Sequence, residues 1–391
     1  MRALTSCVCA ALYLASAAAA GAATPSFTSI ELRSLAGTPG DVVATGINRY
    51  GDVVGSSGSD GLPFVYYHRN GTVVQLEGEA GTLDAWSIND HEQIVGEQIN
   101  VTGIFPLEWS PNGGVEVLPT ETLGVATAIG NNGDIAGNID NGHQDNLAIR
   151  WVGSTHAEDT IGVLWEYPNL PGSGTSTSIA INNLGHVAGV SDAGAGTDPT
   201  TAVSYGVHAF LYTAPGKDRD LGALALSGDG SDDSEGDGIN DLDEVVGTST
   251  TAIPATNSLN QPCSTCGVAS HAFLWRAGKM QDLGDLAGIP GWDSKADSID
   301  NTGEIVGWSD SIVSGESAHR AFLYVDGRML NLQFYVYDRD PDVRLTEAVG
   351  INCEGWIVAN GFNVNSPDVN RAYLLIPRGH QPRPECAASE H

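Results

Sequence analysis

The chain has 391 residues and carries 48 acidic against 17 basic side chains, a net charge of −31 at pH 7. A field of that sign repels phosphate backbones and anionic lipid, which excludes a nucleic-acid-binding or polybasic membrane-surface role. Glycine is abundant at 49 residues and charged residues make up only 17%, yet 41% of the chain is hydrophobic, so the composition describes a turn-dense protein with a core to bury.

Arg2 opens the chain, an apolar stretch runs from Leu4 to Leu14, and small residues follow through Ala20 or Ala23. This pattern predicts a cleaved signal over residues 1–23 and a secreted or periplasmic mature protein. No later stretch approaches the roughly 18 to 20 apolar residues of a membrane span, so no membrane span is expected. Next comes Ile30-Glu31-Leu32-Arg33-Ser34-Leu35-Ala36-Gly37, which matches Met280 to Gly288 but has no unit of its own in front of it.

From there one phrase recurs seven times: an Ile-Asn pair, a turn, then Val-Val-Gly. The copies run Ile47 to Gly55, Ile88 to Gly96, Ile129 to Gly137, Ile181 to Gly189, Ile239 to Gly247, Ile299 to Gly307 and Ile351 to Ala359. Each is followed by an apolar aromatic phrase, such as Phe64-Val65-Tyr66 or Ala272-Phe273-Leu274-Trp275, and often by a late Leu. Each unit reads as four short strands, with Asn-x-x-Gly supplying the tight turn between the first two. A meander of about 40 residues cannot bury both faces alone, so the units must stack radially. The expectation is an all-β fold: a single seven-bladed β-propeller over 24–377 with a C-terminal tail over 378–391. The seventh unit lacks its fourth strand, so the orphan N-terminal strand is expected to complete the last blade and close the ring.

Strand parity orients this ring. If the first strand of each blade runs from an upper to a lower face, Asn-x-x-Gly turns lie below, and the long insertions between second and third strands or between blades lie above. Long loops on a rigid scaffold commonly carry function, which places the working surface on the upper face over units three to six. Trp165, Tyr205, Trp292 and Trp308 lie in or beside those loops, where an exposed ring can stack on a sugar or pack into a partner; the competing role is to anchor the loops.

The acidic run Asp229 to Glu244 admits two readings that exclude each other. Asp233, Glu235, Asp237, Asp241 and Glu244, with Gly238, fall at positions 1, 3, 5, 9, 12 and 6 of a calcium-loop spacing. A regular first strand ending at Ile239 would instead pull Asp233 more than about 20 Å from Asp241. The second reading, a solvated acidic run, is the preferred one, so no cofactor is expected unless calcium binds here. Four cysteines remain after the signal. Cys353 sits in the lower turn of unit seven, and the tail carrying Cys386 also starts below, which predicts a Cys353–Cys386 disulfide and a local Cys263–Cys266 pair.

His271-Ala272-Phe273-Leu274-Trp275, then Met280-Gln281-Asp282-Leu283-Gly284, then Ser298 to Gly307 resemble the HAF-repeat family of probable extracellular repeat proteins. The resemblance spans the mature chain, strongest in units four to six; units two and three lack His-Ala-Phe, which implies less regular blades there. It implies an exported propeller and no established activity, so it carries no catalytic residues. The stretch 233–247 is also similar to the calcium hairpins of FG-GAP propeller repeats. His208 and His271 recur at one repeat position and are read as framework. The chain has no nucleophile elbow, zinc-protease helix, phosphate loop or dinucleotide fingerprint. The leading expectation is a monomeric, non-enzymatic propeller that binds a glycan or a cell-surface protein. The alternatives are a polysaccharide lyase or hydrolase on the same scaffold and a structural envelope or matrix protein.

Overall fold

The computed structural model describes residues 25–78, 81–140, 146–164, 174–193, 206–225, 232–255, 267–289, 291–313, 316–383 and 386. A lone strand, β1 (Phe27–Glu31), precedes blade one, which is β2 (Val42–Ile47), β3 (Val53–Ser57), β4 (Leu62–Tyr67) and β5 (Thr72–Gln75). Blade two is β6 (Thr82–Ile88), β7 (Ile94–Asn100), β8 (Gly103–Trp109) and β9 (Val115–Val117); blade three is β10 (Gly124–Ile129), β11 (Ile135–Asp140), β12 (Asn146–Val152) and β13 (Ala157–Thr160). Blade four is β14 (Ser176–Ile181), β15 (Val187–Asp192), β16 (Val207–Tyr212) and β17 (Asp218–Asp220); blade five is β18 (Ser234–Ile239), β19 (Val245–Pro254), β20 (Val268–Arg276) and β21 (Lys279–Gly284). Blade six is β22 (Ser294–Ile299), β23 (Ile305–Val313), β24 (Glu316–Val325) and β25 (Arg328–Asn331), and blade seven is β26 (Val343–Ile351), β27 (Ile357–Asn363) and β28 (Ser366–Pro377).

The fourth strand of blade seven is β1, antiparallel to β28 with Phe27 opposite Pro377 and Glu31 opposite Tyr373. The protein is a seven-bladed β-propeller of four-stranded antiparallel blades, closed by its N-terminal strand. Both ends of the β1–β28 pair at Phe27 and Pro377 lie on the lower face, because β28 descends from the upper one. No helix among the described residues is long and apolar enough to cross a membrane.

The core sits between blades. Val53, Phe64 and Tyr66 of blade one meet Val358, Ala372 and Leu374 of blade seven, and Phe273 of blade five packs with Ala188 and Leu211 of blade four. Blades two and three, expected to be less regular, keep the common register, since Trp109 and Trp151 fill their inter-blade spaces. Each indole Nε1 donates to a backbone carbonyl, of Glu77 and Pro119 respectively, at 2.7 Å.

Two repeat residues have a direct steric or hydrogen-bonding cause. The Gly of Val-Val-Gly lies against the carbonyl of the neighbouring first strand, where a bulge brings the backbones together: a Cβ at Gly55, Gly189 or Gly307 would run into Val43, Thr177 or Lys295 oxygen. Blade seven carries a second bulge, so Gly361 takes this role two residues beyond Ala359, where the sequence phrase ends. The His of His-Ala-Phe bonds the Asp of the following strand: His208 Nδ1 to Asp220 and His271 Nδ1 to Asp282, each 2.8 Å, while each Asp also accepts a backbone N–H of Gly222 or Gly284. The framework reading of both histidines therefore follows from a cross-strand lock.

The Asn of Asn-x-x-Gly links blades. Asn48 Nδ2 donates to the Asn89 carbonyl, Asn89 to Gly130, Asn182 to Asn240, Asn240 to Asp300, and Asn352 back to Asn48, at 2.9–3.3 Å. Each Oδ1 meanwhile accepts two N–H groups of its own turn, as Asn240 does from Leu242 and Glu244. Two links lack a donor, because blade three has Gly130 and blade six has Asp300. At Asp300 the tail substitutes: Arg383 donates to Asp300 Oδ2 at 2.7 Å and to Glu304 at 2.8 Å. The structure joins Cys353 to Cys386, with Cα atoms 5.5 Å apart, holding this tail below blade seven. Cys263 and Cys266 lie outside the described residues.

Two outcomes test this architecture. Deleting residues 28–36 removes a whole strand and exposes the edge of β28; the truncated chain is expected to lose its cooperative melt, and a melting temperature within about 1 °C of the parent would disprove closure. Cys386→Ser opens a 33-residue loop, and differential scanning calorimetry is expected to read a loss of about 3–4 kcal/mol.

Candidate functional site

The first strands of all seven blades line a central channel. In each, a bulge between the second and fourth of the last five residues turns one side chain toward the axis. That residue is Thr45, Trp86, Thr127, Ile179, Asp237, Asp297 and Val349 around the ring. Two residues earlier stand Val43, Asp84, Val125, Thr177, Glu235, Lys295 and Glu347. Apart from Asp84 in blade two, the charged members of both positions gather in blades five to seven.

Below them a cavity of about 310 Å³ runs toward the lower mouth, bounded by Asp237 and Asp297 above and the Asn turns below. The lower mouth is an iris made largely of Asp and Asn: Asp90, Asn131, Asn183, Asp241 and Asn301. Backbone N–H groups of Arg49, Asp90, Asn131, Asn183 and Asp241 each donate to the side-chain oxygen of the equivalent residue in the next blade, at 2.8–2.9 Å. Amides of Asn183 and Asn301 both reach Asp241 Oδ2, at 3.0 and 2.8 Å.

At the upper end Lys295 Nζ lies 2.7 Å from Asp237 Oδ1 and 3.9 Å from Asp297 Oδ1. The second oxygen of each Asp, Oδ2, is buried with no hydrogen-bond partner. Burial pushes the Asp237 carboxyl up to about 7 despite the Lys295 ammonium. Asp297 is held well above the usual carboxylate range by burial first and then by Glu347 and Asp237. Glu347 is raised by burial, with Lys295 and His319 opposing. Burial works against the Lys295 ammonium, but Asp237, Asp297 and Glu235 outweigh it and raise its pKa.

Beside this cluster, Trp308 of β23 stands opposite Lys295 in register and stacks on His319 of β24, with ring centroids 4.0 Å apart and planes 12° from parallel. The stack exists because blade six is offset by one residue. Arg320, not His319, precedes Ala321-Phe322 where blade five has His271, and the residue matching Asp282 is Asn331. One residue of offset sends a side chain to the other face of a strand, so His319 escapes the His-Asp lock and meets Trp308. Its side chain remains 56% exposed.

The sequence-predicted residues divide. Trp308 stands at the channel's upper rim. Trp292 is 2% exposed, so it anchors its loop into the blade and offers no ring to solvent. Trp165 and Tyr205 lie outside the described residues. For the acidic run, β18 is extended from Ser234 to Ile239, which separates Asp233 on the upper side from Asp241 and Glu244 in the lower turn. The five acids do not wrap one centre: Asp233 accepts from Val207 N–H, Asp241 belongs to the iris, and Glu244 accepts from Asn240 Nδ2 at 2.8 Å. Glu235 and Asp237 alone join the channel cluster. Lys295, Asp297 and Glu347 were missed because they belong to two other phrases; aligning the seven repeats and reading the columns two and four residues before Ile would have found them.

No protein-family model matches the sequence, and no curated protein matches it. Solved structures do. Streptogramin B lyase aligns over 90% of this chain and 98% of its own at 12% identity, with a TM-score of 0.52. The β-propeller domain of the Trilobed protease from Pyrococcus furiosus aligns over 83% and 92% at 6% identity, with a TM-score of 0.51. The likeness is one of fold alone. That domain is described as having an open velcro topology, whereas here β1 closes the last blade.

The raised carboxyls fix a pH dependence. Asp237 holds its proton more tightly folded than unfolded, so its stabilising effect is full below the ordinary carboxylate pKa near 4 and is lost as pH rises through about 7, and Asp297 is shifted in the same direction. Asp237→Asn should melt higher than the parent at pH 8 and show a shallower fall in melting temperature between pH 5 and 8; parallel pH profiles would contradict the burial of this group.

Proposed function

We propose that the protein is an exported, non-enzymatic binding propeller whose upper channel mouth, over blades five to seven, takes a glycan. The observation that carries this reading is the Trp308–His319 stack at the rim, half open to solvent and next to buried acids and one lysine. A flat aromatic surface complements the apolar face of a pyranose, and carboxylates below it accept hydroxyl or ammonium hydrogens. The net charge of −31 and the surplus of carboxylates at the mouth select against acidic polysaccharides and in favour of neutral or amino sugars. Export rests on the N-terminal signal pattern, and the closed ring supplies a rigid platform for the upper loops.

One observation favours a second reading. Asp237, with a carboxyl near 7 beside Lys295, has the proton affinity that a general acid or base on a polysaccharide needs at neutral pH. Screening the mature chain against a glycan array while assaying products separates the two readings. Binding without product, lost by about tenfold or more in a folded Trp308→Ala variant, is the expected result. Unchanged affinity in that variant overturns the rim assignment, and product formation abolished by Asp237→Asn establishes the enzymatic reading instead.

A further inference from the structure

A second cluster lies on the lower face between blades two and three, away from the channel. Glu108 of β8, Glu116 of β9 and His156, which follows a 3-10 turn over Gly153–Thr155, offer one imidazole and two carboxylates within 4.8 Å of one another. His156 Nε2 is 3.0 Å from Glu108 Oε2, and its Nδ1 is 3.0 Å from Glu116 Oε1.

These contacts are not ordinary hydrogen bonds. Glu108 has a side chain 7% exposed, and its Oε2 has no hydrogen-bond partner although the imidazole nitrogen is at 3.0 Å. The nitrogen and the oxygen therefore approach side by side, each directed past the other. Two donor atoms of one ion behave this way: when each stands about 2.1 Å from a metal they are about 3.0–3.5 Å apart. The other oxygen of Glu108 is fixed by Gln93 Nε2 at 2.7 Å, and Gln93 is held in turn by Asn89 of the inter-blade ring at 2.9 Å. An outer partner that orients a carboxylate is the usual support of a metal ligand.

The surroundings agree. A pocket of about 220 Å³ opens on the cluster, lined also by Gln93, Ser110 and Ser154, with no Lys or Arg among its described residues to neutralise two carboxylates. Two other buried acids do have such a cation: Asp237 has Lys295 and Asp300 has Arg383. His156 sits at a φ of 48°, the left-handed C-cap of the 3-10 turn, which sets where its imidazole leaves the backbone.

We infer that Glu108, His156 and Glu116 bind one divalent transition-metal cation, of the zinc class, which staples blade two to blade three. An imidazole among the donors favours zinc or a neighbour over calcium, whose ligands are oxygens. His156 Nε2 and Glu108 Oε2 are the fixed pair, Glu116, 61% exposed, is the arm that completes the site, and water from the pocket fills the remaining position.

The test uses the full mature chain, stripped with a chelator and titrated with zinc chloride by calorimetry, with a thermal melt alongside. The parent is expected to bind one Zn²⁺ per chain at micromolar Kd or tighter and to melt about 5 °C higher at a hundredfold excess over Kd. His156→Asn, chosen because Asn tolerates a left-handed φ, should bind at least 100-fold more weakly, and Glu116→Gln, on the exposed arm, about 10-fold or more. Both variants should keep the parent's melt in chelator. No binding by the parent tighter than about 100 μM, or unchanged binding by His156→Asn, overturns the site. If His156→Asn fails to fold, Glu116→Gln decides by the same criterion.

Discussion

A buried amide in five of the seven blades governs this molecule. The Asn that follows these first strands spends its carbonyl oxygen on its own turn and its NH₂ on the next blade, so a single buried side chain both closes a turn and spaces two blades. Each such bond contributes about 1 kcal/mol net, and leaving one unmade underground costs more than that. The ring is intact where Asn stands and altered where it does not. Asp300 can accept but not donate, and the tail guanidinium of Arg383 covers it. The C-terminal segment is thus part of the ring, not an appendage to it.

With blade spacing fixed below, the axis above is free to be unusual. An inward-turned bulge residue in every blade would be expected to be small or apolar in a purely structural channel, as Ile179 and Val349 are. Blades five and six place Asp there, with a lone lysine between them. Two carboxylates and one ammonium in a confined space cannot all be charged without penalty, and the proton held near neutral pH is the result. Rigid repetition elsewhere is what keeps this unfavourable arrangement in place.

Most of the fold was legible because repetition reports the same physics seven times. Val-Val-Gly marked the second strand and its close approach to the first; Asn-x-x-Gly marked the lower turn; the orphan phrase before unit one marked the closing strand. The site was less legible. Lys295, Asp297 and Glu347 are unremarkable within their own phrases and acquire meaning only as neighbours around an axis. The acidic run looked like a metal loop because alternate spacing is shared by loop ligands and by one face of a strand, and the strand prevailed since Ile239 belongs to the framework. Trp292 misled for a related reason: sequence places a ring near a loop without saying whether it faces in or out.

The position of the chain ends has a mechanical consequence. Phe27 and Pro377 sit side by side at the lower end of the β1–β28 pair, so tension between them peels that pair open one hydrogen bond at a time instead of shearing all of them together. The Cys353–Cys386 bond changes the load path on one side only. A pull on the C-terminal end passes through Cys386 into the turn between β26 and β27 and bypasses β28, whereas a pull on the N-terminal end still acts on β1. Under force the propeller is a ring with one welded end and one zipped end, and it opens from the N-terminal side.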